Sequence, residues 1–154
     1  MKKIIFSLAF SAALLSSAFT YAAGRDTNVN EPTVIVKQAF AKEFKNIANV
    51  EWTTLSKEGV YQAKFSFNNE PLQAFFTEDG EFLGTTRQVV LAQLPVAVST
   101  ELEKQYTDYR VVTIFEYSKR DGLNYYITLC NSKGAMIVKA TGNGELTVYK
   151  KKIQ

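Results

Sequence analysis

The sequence predicts an α+β fold. Two tandem helix plus antiparallel-sheet repeats would form one continuous antiparallel sheet with the helices on one face. Three observations predict it. "VYQAKFSF", residues 60–67, alternates between apolar and polar side chains, the period of a strand with one buried face. Val36, Phe40, Phe44 and Ile47 recur instead at helical spacing. "FTEDGEFL", residues 76–83, is echoed by "ATGNGELT", residues 140–147, so that Gly80 and Gly144 stand 64 positions apart.

The elements follow in order. "MKK" and the apolar run "IIFSLAFSAALLSSAF" have the charge and length of an export signal, with small residues for cleavage after Ala22 or Ala23. Residues 1–23 are thus expected to be a signal peptide, and 24–32 a polar, flexible leader. No Cys follows the apolar run, so a lipoprotein anchor has no attachment point. Pro32 suits a first helical turn, and one amphipathic helix of about a dozen residues is expected after it. In "VYQAKFSF", Tyr61, Ala63, Phe65 and Phe67 face one way, and Gln62, Lys64 and Ser66 the other. "NNEP" is a turn, "LQAFFT" a second strand, "EDG" a hairpin turn and "EFLGTT" a last strand.

The order then restarts. Pro95 opens a second helix in which Val98, Leu102 and Tyr106 repeat the spacing of Val36, Phe40 and Phe44. "RVVTIFEY", "NYYITLC" and "SKGAMIVKAT" stand where the strands of the first half stand. Residues 33–93 and 94–154 are therefore expected as two repeats. There is a physical reason to repeat. One helix on three or four strands buries little apolar surface alone, and joining two sheets edge to edge removes an exposed edge.

Composition excludes several chemistries. The 154 residues contain no His, which rules out a Ser–His–Asp triad, a Cys–His dyad and any His-based zinc site. The single Cys130 cannot close an intrachain disulfide. The net charge of +3 falls to about +1 without Lys2 and Lys3, which argues against nucleic-acid binding. "TEDGE" lacks the ligand spacing of a calcium loop. No cofactor and no metal site is expected. Trp52 is read as core, beside Val50 and under the first helix.

Three stretches carry a resemblance: "AFAKEFKNIANVEW", "YQAKFSFNNEPLQAFFTEDGEFL", and "LP" at the start of the second helix. Together they resemble the PepSY-like domain of exported proteins from Bacteroidetes, a family also similar to the β-lactamase inhibitor protein. The resemblance spans about 33–150 and is weaker in the second half, where Asn143-Gly144 replaces Asp79-Gly80 and no Trp follows the helix. It implies tandem helix-plus-sheet repeats, a periplasmic location and no established catalysis. The inhibitor likeness implies an open sheet face that grips a protein.

The candidate site lies on the face away from the helices. In the first half that face reads Gln62, Lys64, Ser66, Gln73, Phe75, Thr77, Glu81 and Leu83, polar with one aromatic. In the second it reads Val111, Thr113, Phe115, Tyr117, Tyr126, Thr128, Cys130, Ile137 and Tyr149, too apolar for water alone. Phe75, Phe115, Tyr117, Tyr126 and Tyr149 are the candidate partner-binding residues, the partner being a periplasmic protein or peptide. Cover by the leader, a homodimer, or a one-residue slip in register are the other readings of the same face. The expected function is an exported, non-catalytic binding module, inhibitor-like in kind. The alternative is a small-ligand or envelope-stress sensor with a pocket between sheet and helices.

Overall fold

A computed structural model describes residues 31–55 and 59–153; the expected signal peptide and most of the leader lie outside the described residues. The order is α1 (Val34–Glu43), β1 (Glu51–Leu55), β2 (Val60–Phe67), β3 (Glu70–Thr77), β4 (Phe82–Val89), a 3-10 turn (Leu91–Gln93), α2 (Val96–Gln105), β5 (Arg110–Lys119), β6 (Gly122–Asn131), β7 (Gly134–Thr141) and β8 (Leu146–Ile153). The strands pair in sequence order within one eight-stranded sheet. The chain divides into two compact units, the first ending at Leu83 and the second beginning at Gly84. The division falls inside β4, whereas the sequence reading divides the repeats at 93/94.

In the first unit Thr33 caps α1, its hydroxyl accepting from the Val36 amide at 3.3 Å. Val36 and Phe40 are the buried residues of the helix. Its ten residues are fewer than the spacing through Ile47 suggests. Asn46 and Asn49 adopt left-handed φ values of 59° and 58°, which Asn tolerates, and they turn the chain out of the helix. Ile47 nevertheless packs against the same cluster. Phe40 is the centre of that cluster. Its ring lies 5.0 Å from Phe65, 5.2 Å from Phe44 and 5.4 Å from Trp52, the Phe65 and Trp52 contacts being edge-to-face. Trp52 is thus packed against the core, as its sequence position suggests. Tyr61, Ala63 and Phe65 face this cluster. The β2–β3 turn is only Asn68-Asn69, both with positive φ, a tight hairpin with Phe67 paired to Glu70.

The second unit repeats the plan on its own core. Pro95 precedes α2, whose Val98 and Leu102 pack on Ile114, Tyr125, Ile127, Leu129 and Val138. Arg87 of β4 pairs across to Glu116 of β5, its Nε donating to Oε1 at 2.7 Å and Nη2 to Oε2 at 3.3 Å. Such two-pronged pairing fixes the register of the two strands as well as the charge. β8 bears Lys150 and Lys151 and two register shifts, features that discourage edge-to-edge association.

The turns before β4 and β8 have the same form. In "TEDGE", the Thr77 amide donates to Glu81 O, Gly80 N to Thr77 O, and Glu81 N to the Thr77 hydroxyl, each at 3.0 Å. In "TGNGE", Thr141, Gly144 and Glu145 make the same three bonds at 3.0, 3.0 and 3.3 Å. Both glycines have positive φ, 79° and 88°. A Cβ on Gly80 would lie 3.0 Å from Ile35 and 3.3 Å from Ala39; one on Gly144 would lie 2.8 Å from the Ala97 carbonyl oxygen. Each turn therefore closes against the first turns of its own unit's helix, and glycine is required for both the backbone angle and the approach.

Because four rings converge on Phe40, replacing it removes both transfer energy and packing. Phe40→Ala is expected to cost about 3–5 kcal/mol, read by denaturant titration, against under 0.5 kcal/mol for the exposed Lys42→Ala.

Candidate functional site

In the second unit the strand pleat sorts side chains cleanly between two faces. Tyr125 and Tyr126 are sequence neighbours on opposite faces. Tyr125, with Ile127 and Leu129, belongs to the α2 core. Tyr126 points the other way, paired with Phe115 across β5 and Lys139 across β7. Tyr117 and Tyr149 join it: the Tyr117–Tyr126 rings are 6.4 Å apart and the Tyr126–Tyr149 rings 5.0 Å, the latter edge-to-face. Four of the five candidate residues are therefore brought onto one face of one unit. Phe75, the fifth, belongs to the first unit. There it is buried with Val60 and flanked by Leu55 and Leu83.

Local features position these rings. Gly84 of β4 has φ of 140°, and a Cβ there would lie 2.6 Å from Tyr117 Cε2 and 2.7 Å from Ser118 O. The bare backbone of Gly84 thus makes room for the Tyr117 ring to lie across it. Tyr149 is the extra residue of β8, opposite the step between Ile137 and Val138, where the β7–β8 register shifts.

Two expectations need correction. Val111 is not on the aromatic face. The β5–β6 register shifts between Val111 and Thr113, so Val111 pairs with Leu129 and packs on the α2 side. One extra residue, Val112, reverses the pleat there, and alternation alone does not reveal it. The first unit's corresponding face is also less polar than expected. Val60, at the start of β2, and Leu55, on β1, form an apolar patch with Phe75 and Leu83 beside a Gln62–Gln73 side-chain hydrogen bond of 2.7 Å. Neither residue was legible as part of that face, because each stands at a strand end where the alternating run had not begun or had stopped.

The site is dry for a sheet face. Phe75 is 2% exposed, Phe115 7% and Tyr126 8%, while Tyr117 and Tyr149 are half-buried. Burial pushes the Tyr126 hydroxyl up to about 12, with smaller contributions from Tyr149 and Tyr117. Burial likewise raises Tyr117, with Asp121 adding to it. Three phenol groups on dry strands offer hydrogen-bonding tips and wide apolar bodies, a chemistry of contact rather than of turnover.

Elsewhere in this unit, an open depression is lined by residues 107–110 and 130–132. Cys130 lies there, half-buried, opposite Arg110 in the register, with its thiol 3.6 Å from the Asn131 carbonyl oxygen. Among the described residues there is no group of three or more Cys, Asp or Glu arranged to hold a metal ion. No described helix is long and apolar enough to cross a membrane.

No family model matches the sequence, and no curated protein matches it. Solved structures do match in shape. A BLIP-like protein of Bacteroides fragilis is similar at a TM-score of 0.69 and 19% identity, covering 84% of this chain and 93% of its own. A DUF2874 family protein of Bacteroides ovatus is similar at 0.68 and 17%, covering 81% and 93%. A protein of Bacteroides eggerthii described as "putative periplasmic" is similar at 0.67 and 17%, covering 81% and 94%. At these identities the likeness establishes the fold: a BLIP-like, open antiparallel sheet with helices.

The raised tyrosines make a pH prediction. The folded state holds Tyr126 protonated more strongly than the unfolded chain does, where phenols ionise near 10. Its contribution to stability is fully present below pH about 10 and is lost as pH rises towards 12. Denaturation at stepped pH should show this loss, on the order of 1–2 kcal/mol, and Tyr126→Phe should reduce its slope.

Proposed function

We propose that the chain is an exported, non-catalytic binding module that grips a protein or peptide partner through the face opposite α2. Phe115, Tyr117, Tyr126 and Tyr149 form the contact in the second unit, and Phe75 serves the corresponding face of the first. The observation that carries this reading is the two-sided strand β6: Tyr125 completes the core, while Tyr126 builds an aromatic surface that the core does not need. Large, rigid rings bury much area at low entropy cost, which is the composition of binding hot spots.

Several supports are indirect. A neighbour of similar fold is named for its likeness to an inhibitor, and another is described as belonging to the periplasm. Residues 1–23 have the composition of a cleaved signal. On this reading the mature protein works in the periplasm, without cofactor, nucleic acid or stable membrane insertion. The shared "Txx-Gly-Glu" turns, each closing on its helix, favour a duplicated PepSY-like architecture with both helices on one side of the sheet. Self-association as a homodimer through the same face is an outcome the test separates.

Photo-crosslinking amino acids placed at Tyr117 and Tyr149 in cells are expected to capture one defined species, and the same residue placed at exposed Lys104 is not. With that species purified, Tyr117→Ala plus Tyr149→Ala should weaken binding at least tenfold while leaving the melting transition cooperative. A captured band at the mass of two copies would identify the homodimer instead; equal capture from all three positions would remove the proposed surface.

A further inference from the structure

We infer that the apolar segment Ile4–Phe19 of this same chain covers the face opposite α2 in the uncut protein, and that its removal uncovers the docking surface. This rests on the reading of that face given above and assigns it a control. Three observations carry it. The first is burial without a described cause. Ile137, on the same face as Tyr126, is 2% exposed, and Thr86, Phe115 and Tyr126 are buried with it. The helix and the 3-10 turn's Leu94 pack on the opposite face of this unit. A bare sheet face leaves such side chains partly wet, so this one calls for a third layer.

The second is the chain outside the described residues. Thirty residues precede Glu31, and they join the structure just before α1. The twelve residues Thr20–Glu31 can span up to about 40 Å when extended. The third is chemistry. "IIFSLAFSAALLSSAF" holds no charge, and its Phe, Leu and Ile side chains suit a dry aromatic face. The polar "GRDTNVNE" does not suit it. Tethering supplies the rest, since an intramolecular segment acts at an effective concentration in the millimolar range. A partner would meet an occupied face until the segment is cut away.

The native thiol makes the test direct. Cys130 follows Tyr126 and Thr128 in the alternation of β6, so it stands on the same face, and it is the chain's single cysteine. In the full chain of residues 1–154, new cysteines would be placed one at a time as Ser7→Cys, Ser11→Cys and Ser16→Cys, with Asn28→Cys as the polar control. Mild oxidation should form an intrachain disulfide with Cys130 at least tenfold faster from one of the three than from the control. Cys130→Ser should abolish it. Rates no faster than the control at all three positions, or disulfides only between chains, would overturn the inference. The chain starting at residue 24 lacks the segment, so partner capture by that form tests the docking reading separately and can fail without this result failing.

Discussion

Strands β5, β6 and β7 carry apolar side chains on both faces, and a single helix can cover only one of them. The rest of the second unit follows from that constraint. Ile114, Ile127, Leu129 and Val138 require α2, which supplies Val98 and Leu102. Phe115, Tyr126 and Ile137 require something else. Antiparallel sheets with one wet face alternate apolar and polar residues. These strands do not, and the departure is where function is to be sought, because an apolar face kept without a core to serve is a cost unless a partner uses it.

The first unit shows the ordinary solution beside it. Its helix covers Tyr61, Ala63, Phe65 and Phe76, and its other face keeps Gln62 bonded to Gln73. Only the patch of Val60 and Phe75, with Leu55 and Leu83, interrupts that polar character. In both units a Thr-x-x-Gly-Glu turn locks the hairpin and presses its glycine against the helix. The helix is thereby held by backbone contact at one end and by ring or aliphatic packing along its length. Such anchoring leaves the opposite face free to vary in sequence without loss of the fold.

Much of this is legible in the residues. The alternation of 60–67 orients β2 correctly, and the spacing of Val36 and Phe40, and of Val98 and Leu102, identifies the buried stripes. The grouping of Tyr117, Tyr126 and Tyr149 on one face is also legible, since local alternation holds around each of them. What escapes the sequence is set by strand pairing at a distance. The bulge at Val112 moves Val111 to the helix side. Gly84 looks like an ordinary strand residue until the Tyr117 ring is found against it. Leu55 and Phe75 are joined only through β2, which lies between their strands.

The most direct measurement is hydroxyl-radical footprinting of the isolated chain beginning at residue 24, at a concentration where it is monomeric. Tyr125 and Tyr126 are adjacent in sequence and differ only in the face they occupy, so each is the other's control. The account predicts rapid oxidation of Tyr126, together with Tyr117 and Tyr149, and slow oxidation of Tyr125. Tyr126 protected as well as Tyr125 in that monomer would mean that the remaining chain covers its own aromatic face, and no surface would be left for a partner.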